Sequence, residues 1–264
     1  MVASRPPDAP RPPDAPRPPD APRVPLSSAQ RRCWFLHRLA PDSGAHQLSV
    51  RARLTGPCDT EALTGALRDL LDRHDILRTV YPTDAAGEPT RAVRSGPAAY
   101  LLPVIVRDLS VDQAFLAASG GASDPLAGLA DPADPTGDST LRAALEAFGW
   151  EPFDLGADTP LRAQILRVAP DEHVLHLVLA RIAGDETSWT ILFADLAACY
   201  QARCRGARAD PPAARASHAD QARWEATAEH RAEVNRQLAW WRDALTPPPA
   251  PLTPALVSAT TTPP

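Results

Sequence analysis

Several residue types that signal particular chemistries are scarce in this sequence. Lysine is absent, so all 27 basic residues are arginines, and there are only one methionine and three tyrosines. The four cysteines form neither a Cys-x-x-Cys pair nor a zinc-like spacing; they are Cys33, Cys58, Cys199 and Cys204. We therefore expect no metal centre, no cofactor of the chain's own, and thiols that stay reduced.

Long apolar runs and a positive charge balance are absent too. No run of roughly 18 apolar residues occurs, so we expect no membrane-spanning helix. The N-terminus lacks a basic segment followed by an apolar one, which is the pattern of a secretory signal. The 32 acidic and 27 basic residues leave a net charge of −5, which disfavours nonspecific binding to nucleic acid. The sequence thus predicts a cytoplasmic protein that binds neither membranes nor nucleic acids.

Proline is concentrated at the two ends of the chain. Nine of the 31 prolines lie in residues 1–23, where Arg-Pro-Pro-Asp-Ala-Pro occurs three times in succession, and seven lie in residues 247–264. Proline fixes φ and lacks an amide donor, so both ends are predicted to be disordered, Pro-rich segments, the first an extended tether. A ligand for a partner that binds Pro-rich segments and a plain spacer both remain open. Residues 24–246 are predicted to form the folded domain.

Between these segments the hydrophobic pattern alternates between helix and strand periods. Ser27 and Gln30 can form a capping box for a helix that ends near Ala40, and Asp59 can cap a second helix. Further predicted elements are strands at 46–54, 103–107, 161–168 and 173–180, the last two as a hairpin, a loop at 110–140, and helices from Thr187 to about Arg203 and from Ser217 to about Leu245. Together they predict a mixed α/β domain with helices packed on a sheet.

Nucleotide-binding and hydrolase motifs are absent, so the candidate site has to be sought elsewhere. His173 and His176 are three apart in a predicted strand and face opposite sides, so we interpret them as ordinary strand histidines. The turn at 181–186, Arg-Ile-Ala-Gly-Asp-Glu, runs from a strand into a capped helix. Polar groups near a helix N-terminus are a common setting for function, so this turn is the candidate site.

Several segments resemble one known family. Residues 28–36, SAQRRCWFL, resemble SxAQxRxWFL, the first conserved motif of the condensation domains of nonribosomal peptide synthetases. Residues 73–79, RHDILRT, look like the second motif, RHExLRT. Further matches are FDL at 153–155 with PLR at 160–162, Asp220 and Trp224 of YxDxxxW with His218 in place of its tyrosine, and QLAWW at 237–241. The resemblance implies an α/β fold of the α+β sandwich type: a single chloramphenicol acetyltransferase-like lobe with a mixed sheet and packed helices.

The family's active-site motif, HHxxxDG, is degenerate in this sequence. It aligns with residues 180–186, so Ala180 and Arg181 replace the two histidines and Glu186 replaces the glycine. In active members the second histidine orients or deprotonates the acceptor amine. Arginine has no acceptor and a pKa above ~12, so it cannot take over that role. Glu186 is a conceivable substitute base; the alternative is that Arg181 forms an ion pair with Glu186 or Asp185 that plugs the site.

Asp185 of the motif is retained, and the resemblance implies a structural role for it. In the family this aspartate is thought to pair with the arginine that ends the second motif, here Arg78. We therefore expect a bidentate Arg78–Asp185 pair that holds the turn against the first long helix.

The matched motifs cover only the first of the two lobes that the family has, so we expect the second lobe to be missing and the exposed face to favour association. Three hypotheses follow. The first is a non-catalytic half-domain that binds a peptidyl carrier protein or recruits a haem-thiolate oxygenase, as the X domains with their HRxxxDD motif do; phosphopantetheine would enter only as the arm of a carrier. The second is a condensation enzyme completed by a second lobe in trans. The third is a fragment of a disrupted synthetase.

Overall fold

The computed structural model describes residues 24–95, 102–109, 139–209 and 217–248. The helices in these ranges are α1 Ser28–Leu39, α2 Thr60–Arg73, α3 Ser139–Trp150, α4 Ser188–Cys204, α5 His218–Glu225 and α6 Ala228–Ala244. The strands are β1 Gln47–Thr55, β2 Thr79–Val80, β3 Ala92–Val93, β4 Val104–Asp108, β5 Leu161–Ala169 and β6 Glu172–Ala180. Short 3-10 turns at Gly44–His46 and Asp75–Arg78 lead into β1 and β2.

A four-stranded mixed sheet with the order β1-β6-β5-β4 organises the lobe. β6 runs antiparallel to both β1 and β5, whereas β5 and the edge strand β4 are parallel. Leu179 of β6 stands between Leu48 of β1 and Leu161 of β5. β2 and β3 form a separate antiparallel pair.

Both faces of the central strand β6 are buried. Leu177 and Leu179 belong to the core formed with α2 and α4 on one face. Val178 and Ala180 belong to a cluster on the opposite face, which includes Phe148 of α3. A strand that is covered on both faces needs apolar residues at successive positions, and residues 177–180 supply them. The predicted mixed sheet with packed helices is confirmed.

The predicted starts of the first two long helices are confirmed in atomic detail. Ser27 Oγ accepts a hydrogen bond from Gln30 N, and Gln30 Oε1 accepts one from Ser27 N, both at 3.2 Å. Asp59 Oδ1 accepts from Ala62 N at 2.9 Å. These bonds satisfy amide groups that have no partner within the helix, which is why such short signals locate helix starts.

Two predicted elements are wrong in extent. The predicted helix 217–245 is interrupted because Thr227 is extended (φ −74°, ψ 155°) and its hydroxyl accepts from His230 N at 3.1 Å, which starts α6. α3 has no counterpart among the predicted elements and begins at Ser139, inside the predicted loop 110–140. The rest of that loop, the tether 1–23 and the tail from residue 249 lie outside the described residues.

Candidate functional site

The turn from β6 into α4 is built around Gly184. A Cβ atom at this position would lie 2.9 Å from both Leu179 Cδ2 and Ser188 Oγ. Real Cβ atoms essentially never come so close to other heavy atoms, so any larger residue would force the turn and the helix start apart. The close approach therefore holds the neighbouring residues of the turn at a defined place beside α4.

Arg181 and Glu186 form an ion pair. The sequence leaves this pair open as the alternative to Glu186 acting as a substitute base. Arg181 Nη1 and Nη2 both donate to Glu186 Oε1, each at 2.9 Å. The pair lies at the surface, where the side chains are 42% and 68% exposed. Exposed pairs of this kind contribute little to stability. The importance of the pair is that it places a guanidinium bound to a carboxylate at the candidate site.

Asp185 caps α4. Its Oδ1 accepts from Thr187 Oγ1 at 2.7 Å, Ser188 Oγ at 2.9 Å and Ser188 N at 3.1 Å. Hydrogen bonds from Thr187 and then Ser188 lower the pKa of Asp185 below its ordinary value. The predicted cap by Thr187 is wrong, because the Thr187 side chain makes no capping bond to the helix.

The predicted pair between Arg78 and Asp185 is not formed. Arg78 Nε donates to Leu71 O at 2.6 Å, and Arg78 Nη1 donates to Arg94 O at 2.8 Å. Leu71 lies in the last turn of α2, where carbonyl groups lack a partner within the helix. Arg78 therefore satisfies backbone carbonyls, and Asp185 satisfies the start of a different helix.

The Asp185→Ala variant is expected to lower the free energy of unfolding by about 1 kcal/mol, the usual cost of losing an N-cap. The matched variant Glu186→Ala removes only the exposed pair with Arg181 and is expected to cost about 0.5 kcal/mol or less. Urea unfolding of both variants measures the difference. A loss of several kcal/mol for Asp185→Ala would instead indicate a buried ion pair.

The turn forms one wall of a cavity of about 960 Å³. The opposite parts of the lining come from α1, from the segment that joins α2 to β2, and from the start of α5. Ten of the 25 lining residues carry a charged or imidazole side chain: Arg73, His74, Asp75, Arg78, Arg181, Asp185, Asp195, His218, Asp220 and Glu225. The structure thus brings the predicted residues Arg78, Arg181 and Asp185 to one cavity without pairing Arg78 with Asp185.

Asp195 of α4 is a cavity residue that the motifs do not identify. His74 Nε2 hydrogen-bonds to Asp195 Oδ2 at 2.8 Å, and Arg73 Nε donates to the same oxygen at 2.7 Å. The signal that could have found it is helical spacing, because residues 188, 191, 192 and 195 all line the cavity. This trio ties the end of α2 to α4 on the cavity wall.

His218, which stands where the family's fourth motif has tyrosine, also lines the cavity. Burial lowers its pKa below the ordinary value, and the nearby Arg91 lowers it further. At neutral pH this imidazole is therefore uncharged and able to accept a proton. Among the described residues, no three histidine, cysteine, aspartate or glutamate side chains are placed to hold a metal ion. The helices within the described ranges also lack an apolar stretch of the length that a membrane span requires.

Sequence comparisons show what this chain is similar to. A family model for the condensation domain matches residues 21–113 and 132–261. The isonitrile lipopeptide synthase of Mycobacterium tuberculosis is 34% identical over 227 residues, which are 84% of this chain and 8% of that protein. The dimodular nonribosomal peptide synthase of Bacillus subtilis is 32% identical over 231 residues, with the same coverage of 84% and 8%. The chain thus spans less than a tenth of these relatives.

Solved structures agree with this assignment. The X-domain from teicoplanin biosynthesis, in complex with OxyB, is 31% identical with a TM-score of 0.65, and the match covers 90% of this chain and 46% of that one. The starter condensation domain of rhizomide synthetase has a TM-score of 0.67 at 19% identity, over 88% of this chain and 50% of that one, and supports the fold alone. The expected chloramphenicol acetyltransferase-like fold is confirmed. The chain spans about half of these solved domains, and it belongs to the condensation-domain family of nonribosomal peptide synthetases.

Proposed function

We propose that this chain acts by binding in nonribosomal peptide assembly and does not form amide bonds itself. Its partner is a peptidyl carrier protein or a synthetase module, or a haem-thiolate oxygenase that acts on a carrier-bound peptide. Phosphopantetheine takes part only as the arm of that carrier protein.

The observation that carries this proposal is the Arg181 guanidinium on the cavity wall. It occupies the position of the second motif histidine, and both of its Nη atoms donate to Glu186. A general base has to accept a proton near neutral pH, whereas a guanidinium has donors only and stays protonated. Glu186, the other candidate base of the turn, is engaged by the same guanidinium. The turn therefore keeps the scaffold of the motif without its proton acceptor.

Similarity to an X domain supports a binding role. The sequence at 180–186 agrees with HRxxxDD at Arg181, Asp185 and the acidic Glu186, and departs from it at Ala180. The X-domain at 31% identity was solved as a complex with OxyB, so a domain of this kind can present a surface to another protein.

Amide or ester formation, completed by a second lobe in trans, is the second candidate function, and His218 favours it. This imidazole is partly buried, lines the same cavity as Arg181, and has a pKa lowered by burial. It therefore supplies the neutral proton acceptor that Arg181 cannot be.

A titration of the whole chain with carrier protein tests the proposal. The carrier from the same pathway is loaded with a peptidyl arm, and its serine-to-alanine variant, which cannot carry the arm, is the control. By fluorescence anisotropy we expect saturable binding at roughly tens of micromolar or tighter, as for transient complexes. Failure to bind the carrier, its module and the pathway's oxygenase in this range would contradict the proposal.

A turnover assay separates the two candidates. With donor-loaded and acceptor-loaded carriers, we expect no condensed product from the chain, alone or with a candidate second lobe. Product that persists in the Arg181→Ala variant and disappears in the His218→Phe variant would establish the enzymatic function. Before either assay, a thermal melt has to show that the purified chain is folded and unfolds in one cooperative transition. A disrupted fragment would melt without a sharp transition.

A further inference from the structure

A histidine and a carboxylate are hydrogen-bonded on the cavity wall, where the end of α2 meets α4. His74 follows α2 directly, Asp195 lies on α4, and both line the cavity. His74 Nε2 lies 2.8 Å from Asp195 Oδ2. An ionised carboxylate only accepts hydrogen bonds, so Nε2 carries the hydrogen and donates it. The lone pair of the uncharged imidazole is therefore on Nδ1.

The second nitrogen of this imidazole is accessible to water. Among the described residues, His74 Nδ1 has no hydrogen-bond partner, and it is not one of the buried polar atoms that lack one. An atom with neither a partner nor full burial is in contact with solvent. The cavity itself is open, since Ile191 on its wall is 60% exposed. A water molecule can therefore bind at Nδ1 and give it a proton.

Apolar side chains flank the pair on the cavity wall. Ile76 lies two residues after His74, and Ile191 and Leu192 lie one turn before Asp195 on α4. Such a surface suits the apolar chain of an acyl group, whereas the imidazole and its bound water suit the reacting carbonyl end. The site therefore favours an acyl compound with an apolar chain over a fully polar substrate.

The second histidine of the cavity lacks a carboxylate partner. The His218 side chain makes no hydrogen bond or ion pair with a carboxylate among the described residues, and its Nδ1 is buried without a partner. A hydrogen-bonded carboxylate fixes the tautomer of a histidine base and stabilises the imidazolium that forms when the base takes a proton. His74 is therefore the cavity histidine of the described chain that is arranged as a general base, with Asp195 as its positioning residue.

We propose that His74 and Asp195 form a hydrolytic site for acyl thioesters that a carrier protein presents on its phosphopantetheine arm. This inference rests on the proposed function, which brings such a thioester to the cavity. His74 Nδ1 takes a proton from water while the water oxygen bonds to the thioester carbonyl carbon. The carbon–sulfur bond then breaks, and the imidazolium returns the proton to the leaving sulfur. In sum, one thioester and one water give one carboxylic acid and one thiol, with no change of oxidation state.

Hydrolysis of octanoyl-pantetheine by the whole chain, in water labelled with heavy oxygen, tests this site. This small thioester needs no carrier protein, so the assay is independent of carrier binding. We expect the chain to release octanoic acid with one heavy oxygen atom faster than a blank without protein. A general base contributes roughly 100-fold or more, so His74→Ala and His74→Gln should each lose about that much of the rate. Free imidazole should restore part of the rate in His74→Ala, because it fills the space that the side chain leaves.

Matched variants separate a positioning role of Asp195 from a merely structural one. Asp195→Asn should lower kcat by about tenfold or more with little change in KM, because an amide does not stabilise the imidazolium as a carboxylate does. His230 of α6 lies outside the cavity, so His230→Ala should keep the rate of the parent chain. Thermal melts of all variants show that each of them is folded in the assay.

Release of octanoic acid at the rate of the blank would overturn the hydrolytic site, and carrier binding without hydrolysis would leave the proposed function standing alone. A rate that is unchanged in both His74 variants, or lost only in His218→Phe, would place the base elsewhere and equally overturn it. So would a chain that becomes acylated during turnover, because a nucleophilic side chain would then carry the reaction. Hydrolysis that depends on His74 without any binding of carrier protein would support the site and contradict the proposed function.

Discussion

The Asp69→Ala variant is expected to lower the free energy of unfolding by about 3 kcal/mol. Asp69 lies on α2 and is 7% exposed. Arg203 Nε donates to its Oδ2 at 2.7 Å and Arg203 Nη2 to its Oδ1 at 2.6 Å, and Arg208 Nε donates to Oδ1 at 3.0 Å. Removing the carboxylate leaves Arg203 without this counter-charge at the junction of α2 and α4, whereas Arg208 keeps its pair with Asp72.

The matched control is Asp72→Ala. Asp72 also pairs with Arg208 but is 31% exposed and has no contact with Arg203 among the described ion pairs. We expect a loss of about 1 kcal/mol or less, measured by urea unfolding beside Asp69→Ala. Equal losses of unfolding free energy for the two variants would show that the burial of Asp69 adds nothing to the stabilisation by its ion pairs.

The pH dependence of the Asp69 contribution has a definite sign. Burial by itself would raise the pKa of Asp69, but hydrogen bonds from Arg203 and then Arg208, with their charges, outweigh it and lower the pKa. A carboxylate with a lowered pKa stabilises the folded state above its unfolded pKa, and this stabilisation is lost as the pH falls through the folded value. The difference between the parent chain and Asp69→Ala should therefore shrink below about pH 4.

Acidification is expected to remove about 3 kcal/mol of stability between pH 6.5 and 4 through His176 alone. Burial, followed by the charges of Arg51 and Arg162, lowers the pKa of His176 from 6.5 to about 4. In this range the unfolded chain takes up a proton at His176 and the folded chain does not. Stability therefore falls as the pH decreases, and levels off for this group below its folded pKa.

The hydrogen bonds of His176 explain why its imidazole is difficult to protonate in the folded chain. Its Nδ1 lies 3.0 Å from Gln164 Nε2, and its Nε2 lies 2.7 Å from Ser49 Oγ. The amide nitrogen of glutamine only donates, so Nδ1 accepts and Nε2–H donates to the serine. Protonation would place two donors face to face on a strand that is buried on both sides.

Two variants test the His176 effect through unfolding curves at pH 7 and pH 4.5. His176→Gln removes the titrating group, so the stability lost on acidification should fall by most of the His176 contribution. Gln164→Glu places an acceptor against Nδ1 and should make the folded chain less sensitive to acid. An unchanged slope in both variants would assign the acid sensitivity to other groups.

The elements that the sequence predicts well are those specified by residues close together along the chain. The capping bonds of Ser27 and Asp59 each join residues three apart, so the capping residue and its partner can be recognised within one short segment of sequence. Two apolar strands around a short polar turn predict the β5–β6 hairpin, whereas the register shift between Arg167 and Ala169 is seen only in the structure. The interruption at Thr227 is also local, but the apolar stripe that predicts the helix 217–245 begins only at Val234 and carries no information about residue 227.

Partner choice among charged side chains was not predictable in the same way. Arg78 was expected to pair with Asp185, yet it donates to the carbonyls of Leu71 and Arg94, because those groups lie where α2 and β3 end. Asp195 lies on the cavity wall, where it contacts Arg73 and His74, which are more than a hundred residues earlier in the chain. A long side chain reaches several candidate partners, and only the packing of the elements selects one.

By itself the sequence determined the family, the order of most elements, and the loss of the motif histidines at Ala180 and Arg181. Those features depend on residue identity and local periodicity, which are fixed before the chain folds. The tertiary structure decided that Arg181 is held by Glu186, that Asp185 caps α4, and that His74 and His218 face the same cavity. These contacts join separate elements, so their geometry exists only once the helices have packed on the sheet.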